Sequence, residues 1–184
     1  MAEYLDLLNE DGIKTGDIAT RKDVHKYGYW HRAVIAAVVN SDNKVLMQRR
    51  SEQKEKYPGL WDLSTAGHVM AGESSLTTCV RELNEEIGIQ IGYKATIQDF
   101  RFVTCFRNTH SYINKNNEDI TVNQYYDLFV IRKDIDLSQV AFNDDEVSDT
   151  QWMDYTQILK YLKEGKLHPR TEWISEVFSF INKM

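Results

Sequence analysis

The chain has 184 residues, 42% of them hydrophobic and 27% charged, a balance that excludes global disorder and supports one core-forming domain. Its net charge of −6, from 28 acidic and 22 basic side chains, argues against nonspecific nucleic-acid binding, which needs a basic surface. The longest apolar run, near Ala33 to Val39, is too short to cross a bilayer, and Cys79 and Cys105 are too few for a disulfide scaffold.

Glu3 to Leu8 and Ile13 to Asp17 flank the turn Asn9-Glu10-Asp11-Gly12, which predicts an N-terminal hairpin. Arg21 to Tyr27 reads as a short helical or irregular link. His31 to Asn40, rich in Val, Ile and Ala, reads as a strand. The turn Ser41-Asp42-Asn43 leads to a second strand, Lys44 to Gln48. Arg49 to Leu60 is charged and loop-like, Trp61 to Ala66 is a brief strand, and Gly67 to Ser74 is a loop that enters a helix of about a dozen residues. Tyr93 to Phe106 places Phe100, Phe102 and Phe106 at period two, so a strand is expected there. Asn114 to Asn117 is a hairpin tip, Thr121 to Ile131 its return strand, and Glu146 to Met153 a further strand. Tyr155 to Glu164 and Glu172 to Lys183 are amphipathic helices. Nothing marks a second domain. The chain is expected as one domain, 1–184, with a hairpin and link over 1–28, a core over 29–155 and terminal helices over 156–184. The N-terminus lacks the basic and apolar regions of a signal peptide, so a cytoplasmic location is expected.

The chemistry concentrates in the helix after Gly67. Leu76, Val80, Leu83 and Ile87 are spaced by four, three and four and predict one buried stripe. Glu82, Glu85 and Glu86 fall on another face, one turn apart. Like charges so placed repel and raise one another's pKa. A hard divalent cation with oxygen ligands would favour the cluster; a solvated acidic face is the bland alternative. Gly88 is placed to end the helix.

The whole segment reads Gly, five residues, Glu, seven residues, Arg-Glu, an aliphatic, any residue, Glu-Glu, any residue, Gly, an aliphatic. This resembles the Nudix box of the Nudix hydrolase superfamily, with Gly67, Glu73, Arg81, Glu82, Leu83, Glu85, Glu86, Gly88 and Ile89 matching nine defined positions over 23 residues. His31-Arg32-Ala33, Gln48-Arg49-Arg50-Ser51, Lys54, Tyr57-Pro58-Gly59, Trp61-Asp62 and Asp144-Asp145-Glu146-Val147 are similar to the branch containing type I isopentenyl-diphosphate isomerases and the hydrolases like them. The likeness covers Glu3 to Tyr155. It implies an α+β (α/β) fold, a mixed β-sheet sandwiched between α-helices, with the box as loop-helix-loop.

The resemblance also implies a metal-dependent diphosphate hydrolase. Mg²⁺ or Mn²⁺ is the implied cofactor. Glu82, Glu85 and Glu86 are the implied ligands, with the carbonyl of Gly67 as an addition. Glu82 and Glu146 are the candidate bases for the attacking water, and Glu73 and Arg81 are implied to be a structural pair. Arg49, Arg50 and Lys54 lie on a loop the fold would bring to the substrate, where arginine forks suit phosphate. His68 follows the box glycine and is placed to touch a phosphate. Trp61, Phe102 and Tyr125 are candidates to stack on a base, with core packing the commoner fate. The partner implied is a small-molecule diphosphate, with no nucleic acid and no membrane; dimers are common for such folds, which leaves a homodimer open.

The isomerase branch is the alternative. It uses three histidines, two glutamates and a cysteine before Gly-His. His25, His31 and His68 match the histidines here, but the cysteine position falls on Ala66 and the glutamate positions on Val122 and Gln124. None of these three can move a proton usefully at neutral pH. A non-catalytic ligand-sensing domain is a further alternative, against which the intact acidic cluster speaks. His25 sits in a polar link, where solvent is its ordinary environment.

Overall fold

The computed structural model describes residues 2–54, 56–88, 100–113, 116–141, 145–169 and 173–183. Ile89, the strand start at Tyr93, the tip residues Asn114 and Lys115, Asp144, and the helix start at Glu172 lie outside the described residues. Among the described residues nine strands and four α-helices follow in chain order: β1 (Tyr4–Leu8), β2 (Lys14–Thr20), α1 (Arg21–Tyr27), β3 (Trp30–Val39), β4 (Val45–Arg50), β5 (Trp61–Asp62), β6 (Thr65–His68), α2 (Ser75–Ile87), β7 (Phe100–Ile113), β8 (Asp119–Arg132), β9 (Val147–Met153), α3 (Tyr155–Lys163) and α4 (Ile174–Ile181). Among the described residues no helix is long and apolar enough to cross a membrane.

Strand β3 organises the sheet. One edge runs parallel to β8 along its full length, from Trp30 opposite Asn123 to Val39 opposite Arg132. The other edge is shared antiparallel by β1 at its start, β6 in its middle and β4 at its end. Its side chains alternate between two cores because successive Cβ atoms point to opposite faces. Ala33, Ile35, Ala37 and Val39 pack with Ile158 of α3 and Ile174, Val177 and Phe178 of α4. Val34, Ala36 and Val38 pack with Cys79, Leu83 and Ile87 of α2. The sheet therefore lies between helices, the α+β sandwich the box implied.

Four details depart from the pattern read in the sequence. Arg49 and Arg50, expected on a loop, end strand β4, where they pair with β5 and β9. The strand expected over Trp61 to Ala66 is two: β5 pairs with β4, and β6 turns to pair with β3, so Gly67 lies in a strand and not in a loop. The buried side of α2 is Thr78, Cys79, Leu83 and Ile87, with Leu76 and Val80 only packed at its margin. The period-two run of phenylalanines is broken by a register shift between Phe102 and Thr104. An extra residue flips the side chains that follow to the opposite face. Phe100 joins the α2-side core, whereas Phe106 packs on Tyr126 and Trp173 at the other.

Candidate functional site

Helix α2 is fixed at both ends. Ser74 accepts from the Thr77 N–H at its N-terminus, and Gly88, in the left-handed region at φ 64°, closes it by donating to the Asn84 and Leu83 carbonyls. Strand β6 lies beside it and sets Gly67 against Glu82: a Cβ at Gly67 would overlap the Glu82 carboxylate. Only glycine gives the backbone this approach.

Arg81 is the hub of the box. It donates to Glu73 through Nε and Nη2, both at 3.2 Å, and to Glu82 and Glu85 through Nη1 at 2.8 and 3.0 Å. A fifth hydrogen bond, Nη2 to the His68 carbonyl at 3.2 Å, ties the loop and β6 to α2. Glu86 accepts from Thr65 at 2.6 Å and from Gln48 at 2.9 Å. One guanidinium thus faces three carboxylates at the far end of the helix. Burial, followed by the Glu86 charge, pushes Glu82 up to about 7 despite Arg81. Arg81 offsets only part of the cluster's negative charge, and the cluster's hard oxygen donors suit Mg²⁺ or Mn²⁺.

These carboxylates line a cavity of about 560 Å³. Gly67, His68, Arg50, Lys54 and Glu146 line it as well, so the structure brings together all but one of the metal, base and substrate candidates. The exception is Arg49, which is not among the described lining residues; its guanidinium donates to Gly59 O at 3.0 Å and to Glu52 at 2.9 Å, holding the loop after β4. Arg50 reaches the cavity but is itself anchored, donating to the carbonyls of Lys56 at 3.0 Å and Tyr57 at 3.2 Å, with the buried Asp62 carboxylate 3.9 Å away. Lys54 is ion-paired with Glu146. Of the stacking candidates, Trp61 belongs to the core, Tyr125 packs on Trp30, and Phe102 stands edge-on to Phe129; none is among the described cavity-lining residues.

Three histidines gather at the inner end of the cavity, His25 and His68 lining it and His31 buried beside them. His25 is carried by α1, which Thr20 caps and Gly28 ends. Instead of facing solvent it packs against His31 and His68, and one ring nitrogen from each of the three lies within 4.8 Å of the others. Its Nε2 is buried with no hydrogen-bond partner among the described residues. His31 Nδ1 lies 3.1 Å from the Tyr29 carbonyl, which can only accept, so Nδ1 carries the proton and Nε2 a lone pair. Gln124 fills the space between. Its amide nitrogen donates to Nε2 of His31 at 3.1 Å and of His68 at 3.2 Å, while Tyr126 donates to its oxygen at 2.6 Å. A residue reached in the sequence only through the isomerase comparison is thus the keystone of this group.

Burial, reinforced by neighbouring positive charge, lowers His25 to about 3 and His31 to about 4. Both are neutral at pH 7. Below about 6.5 the unfolded chain takes up protons that the folded site refuses, so stability falls as pH drops toward 4. Histidine-selective NMR is expected to show both rings still neutral at pH 5. Gln124→Ala removes the amide donor to the buried Nε2 of His31, at about 1–3 kcal/mol. A melting temperature lowered by several degrees checks this; an unchanged one shows the amide to be dispensable.

A helix-flanked mixed sheet carrying this glycine-led, carboxylate-bearing loop and helix defines a Nudix-type domain. The chain belongs to the Nudix family: the NUDIX domain matches residues 29–175. It is 34% identical over 164 residues to Nudix hydrolase 3 of Arabidopsis thaliana, covering 88% of this chain and about a fifth (20%) of that relative's length. It is 31% identical over 159 residues to the isopentenyl-diphosphate Delta-isomerase of Shigella flexneri, covering 86% of this chain and 80% of the isomerase. A crystal structure of DR0079 from Deinococcus radiodurans superposes with a TM-score of 0.66 at 24% identity, over 90% of this chain and 91% of that one.

Proposed function

We propose that the chain hydrolyses the diphosphate linkage of a small anionic substrate, a nucleoside diphosphate joined to another group. The observation that carries this reading is one cavity with carboxylates Glu82, Glu85 and Glu86 on one side and the cations Arg50, Lys54 and Lys56 among its other lining residues. A diphosphate needs both: cations for its oxygens and an acidic cluster able to hold a divalent ion. Glu82, Glu85, Glu86 and the Gly67 carbonyl would hold Mg²⁺ or Mn²⁺. When bound, such an ion neutralises phosphoryl oxygens and acidifies water. Arg50 presents a guanidinium already fixed by the loop carbonyls, so little ordering is lost on binding phosphate. Lys54 adds a charge on a flexible stem and His68 a ring beside Gly67 of β6. Glu82 and Glu146 are the groups suited to take a proton from water.

A second reading, isomerisation of isopentenyl diphosphate, is favoured by the gathered histidines and by the Shigella relative. Against it stand Ala66 and Val122 on the same cavity wall, both inert to protons, and Gln124, whose amide already satisfies two imidazoles. Each missing acid or base costs about 10² to 10⁴ in rate. A panel of diphosphates with Mg²⁺ in ¹⁸O-water, read by mass spectrometry, is expected to give labelled phosphate product. The same protein with isopentenyl diphosphate in deuterated water is expected to give no deuterated allylic isomer by NMR. Turnover in the second assay with none in the first would reverse the two readings.

A further inference from the structure

The two anchors of the basic residues differ. Arg50 is held by two backbone carbonyls and lies beside the fully buried Asp62, so its head is part of the loop scaffold. Lys54 is held at its head by the Glu146 carboxylate, and the side chains are 24% and 39% exposed. The backbones beneath them are joined: Ser51 N–H donates to the Glu146 carbonyl at 3.0 Å, and Lys54 N–H to the Ser51 carbonyl at 3.2 Å. The pair therefore sits on a fixed base with only its two side chains able to move, and both line the cavity. An exposed pair of this kind is worth little in water, and lysine is a point charge on a flexible stem. A diphosphate brings more negative charge than one carboxylate and accepts stronger charge-assisted hydrogen bonds.

We propose that Lys54 is an exchangeable counter-ion: in the free protein it holds Glu146, and an incoming diphosphate takes it over, releasing the Glu146 carboxylate beside the bound phosphate. This rests on the diphosphate reading above and assigns the pair a task within it. Glu146 then stays paired with Lys54 until substrate is seated. Lys54 is the positioning residue, since it governs Glu146 and the phosphate by turns.

The test is calorimetric binding of methylenediphosphonate, a diphosphate whose bridge water cannot cleave, with Mg²⁺ present. Glu146→Gln removes the competitor for Lys54, and binding is expected to tighten about threefold or more. In a Lys54→Met background the same substitution is expected to change affinity by less than half that factor. Lys54→Arg is expected to restore the coupling. Equal tightening in both backgrounds means that Glu146 merely repels the anion, and overturns the exchange. No tightening in either background overturns it too. If the unaltered protein binds no methylenediphosphonate at all, the diphosphate reading itself fails, an outcome distinct from the other two.

Discussion

Glu86→Gln is expected to lower kcat for the proposed diphosphate hydrolysis at least about a hundredfold, and Glu85→Gln to do the same, with both variants still folded. The warrant is the geometry around each carboxylate. Glu86 is fixed by Thr65 and Gln48, so its oxygen is already oriented before any cation arrives. An amide of the same size keeps the packing but replaces one anionic oxygen by a donor. Loss of a ligand to a catalytic cation removes several kcal/mol of transition-state charge stabilisation, and about 2.7 kcal/mol corresponds to the hundredfold. Glu85 is more exposed and among the described residues is tied to Arg81 alone, so its replacement perturbs the fold least. Steady-state kinetics at saturating Mg²⁺, beside circular dichroism, decide the matter. Near-normal turnover in both variants sinks the placement of the cation on this helix.

The second large effect is expected at Arg81. Its guanidinium bridges Glu73, Glu82, Glu85 and the His68 carbonyl, with its side chain 20% exposed. Arg81→Ala leaves partly buried carboxylates unpaired. Breaking a buried pair in this way costs about 3–5 kcal/mol, and the residual exposure favours the lower end. For a chain of this size that is a melting temperature lowered by about ten degrees. Activity falls as well, because the loop and helix lose their common tie. A variant with unchanged melting temperature and lost turnover would place Arg81 on the substrate instead.

How much of this was legible in the sequence varies by residue. The box helix was legible because its signals are local: a serine cap, a run of periodic aliphatics and a closing glycine. The hairpin β1–β2 was legible for the same reason. The stripe on α2 was misread at two of its four positions, Leu76 and Val80 giving way to Thr78 and Cys79, because Cys79 counts as a small hydrophobe only once buried. The division of Trp61 to Ala66 was hidden, since which strand each half pairs with is decided by β4 and β3 and not by the segment itself. The bulge at Val103 was equally hidden, because a period-two run carries no mark of an extra residue. His25 was read as solvent-facing from its polar neighbours. What buries it is the meeting of α1 with β3 and β6, a tertiary fact, although Thr20 and Gly28 mark the helix that carries it there.

The parallel pairing of β3 with β8 bears on how the molecule reaches its native state. His31 and Gln124 touch across a separation of 93 residues. Parallel strands so far apart must close a long loop before any ladder contact rewards them, and chains dominated by such contacts fold slowly. During synthesis the box helix can form early from its own caps. The group of histidines cannot close until β8 has left the ribosome and docked. A nascent chain halted before Asp119 therefore holds β3 with one edge bare, and that apolar edge is the surface on which a chaperone would act.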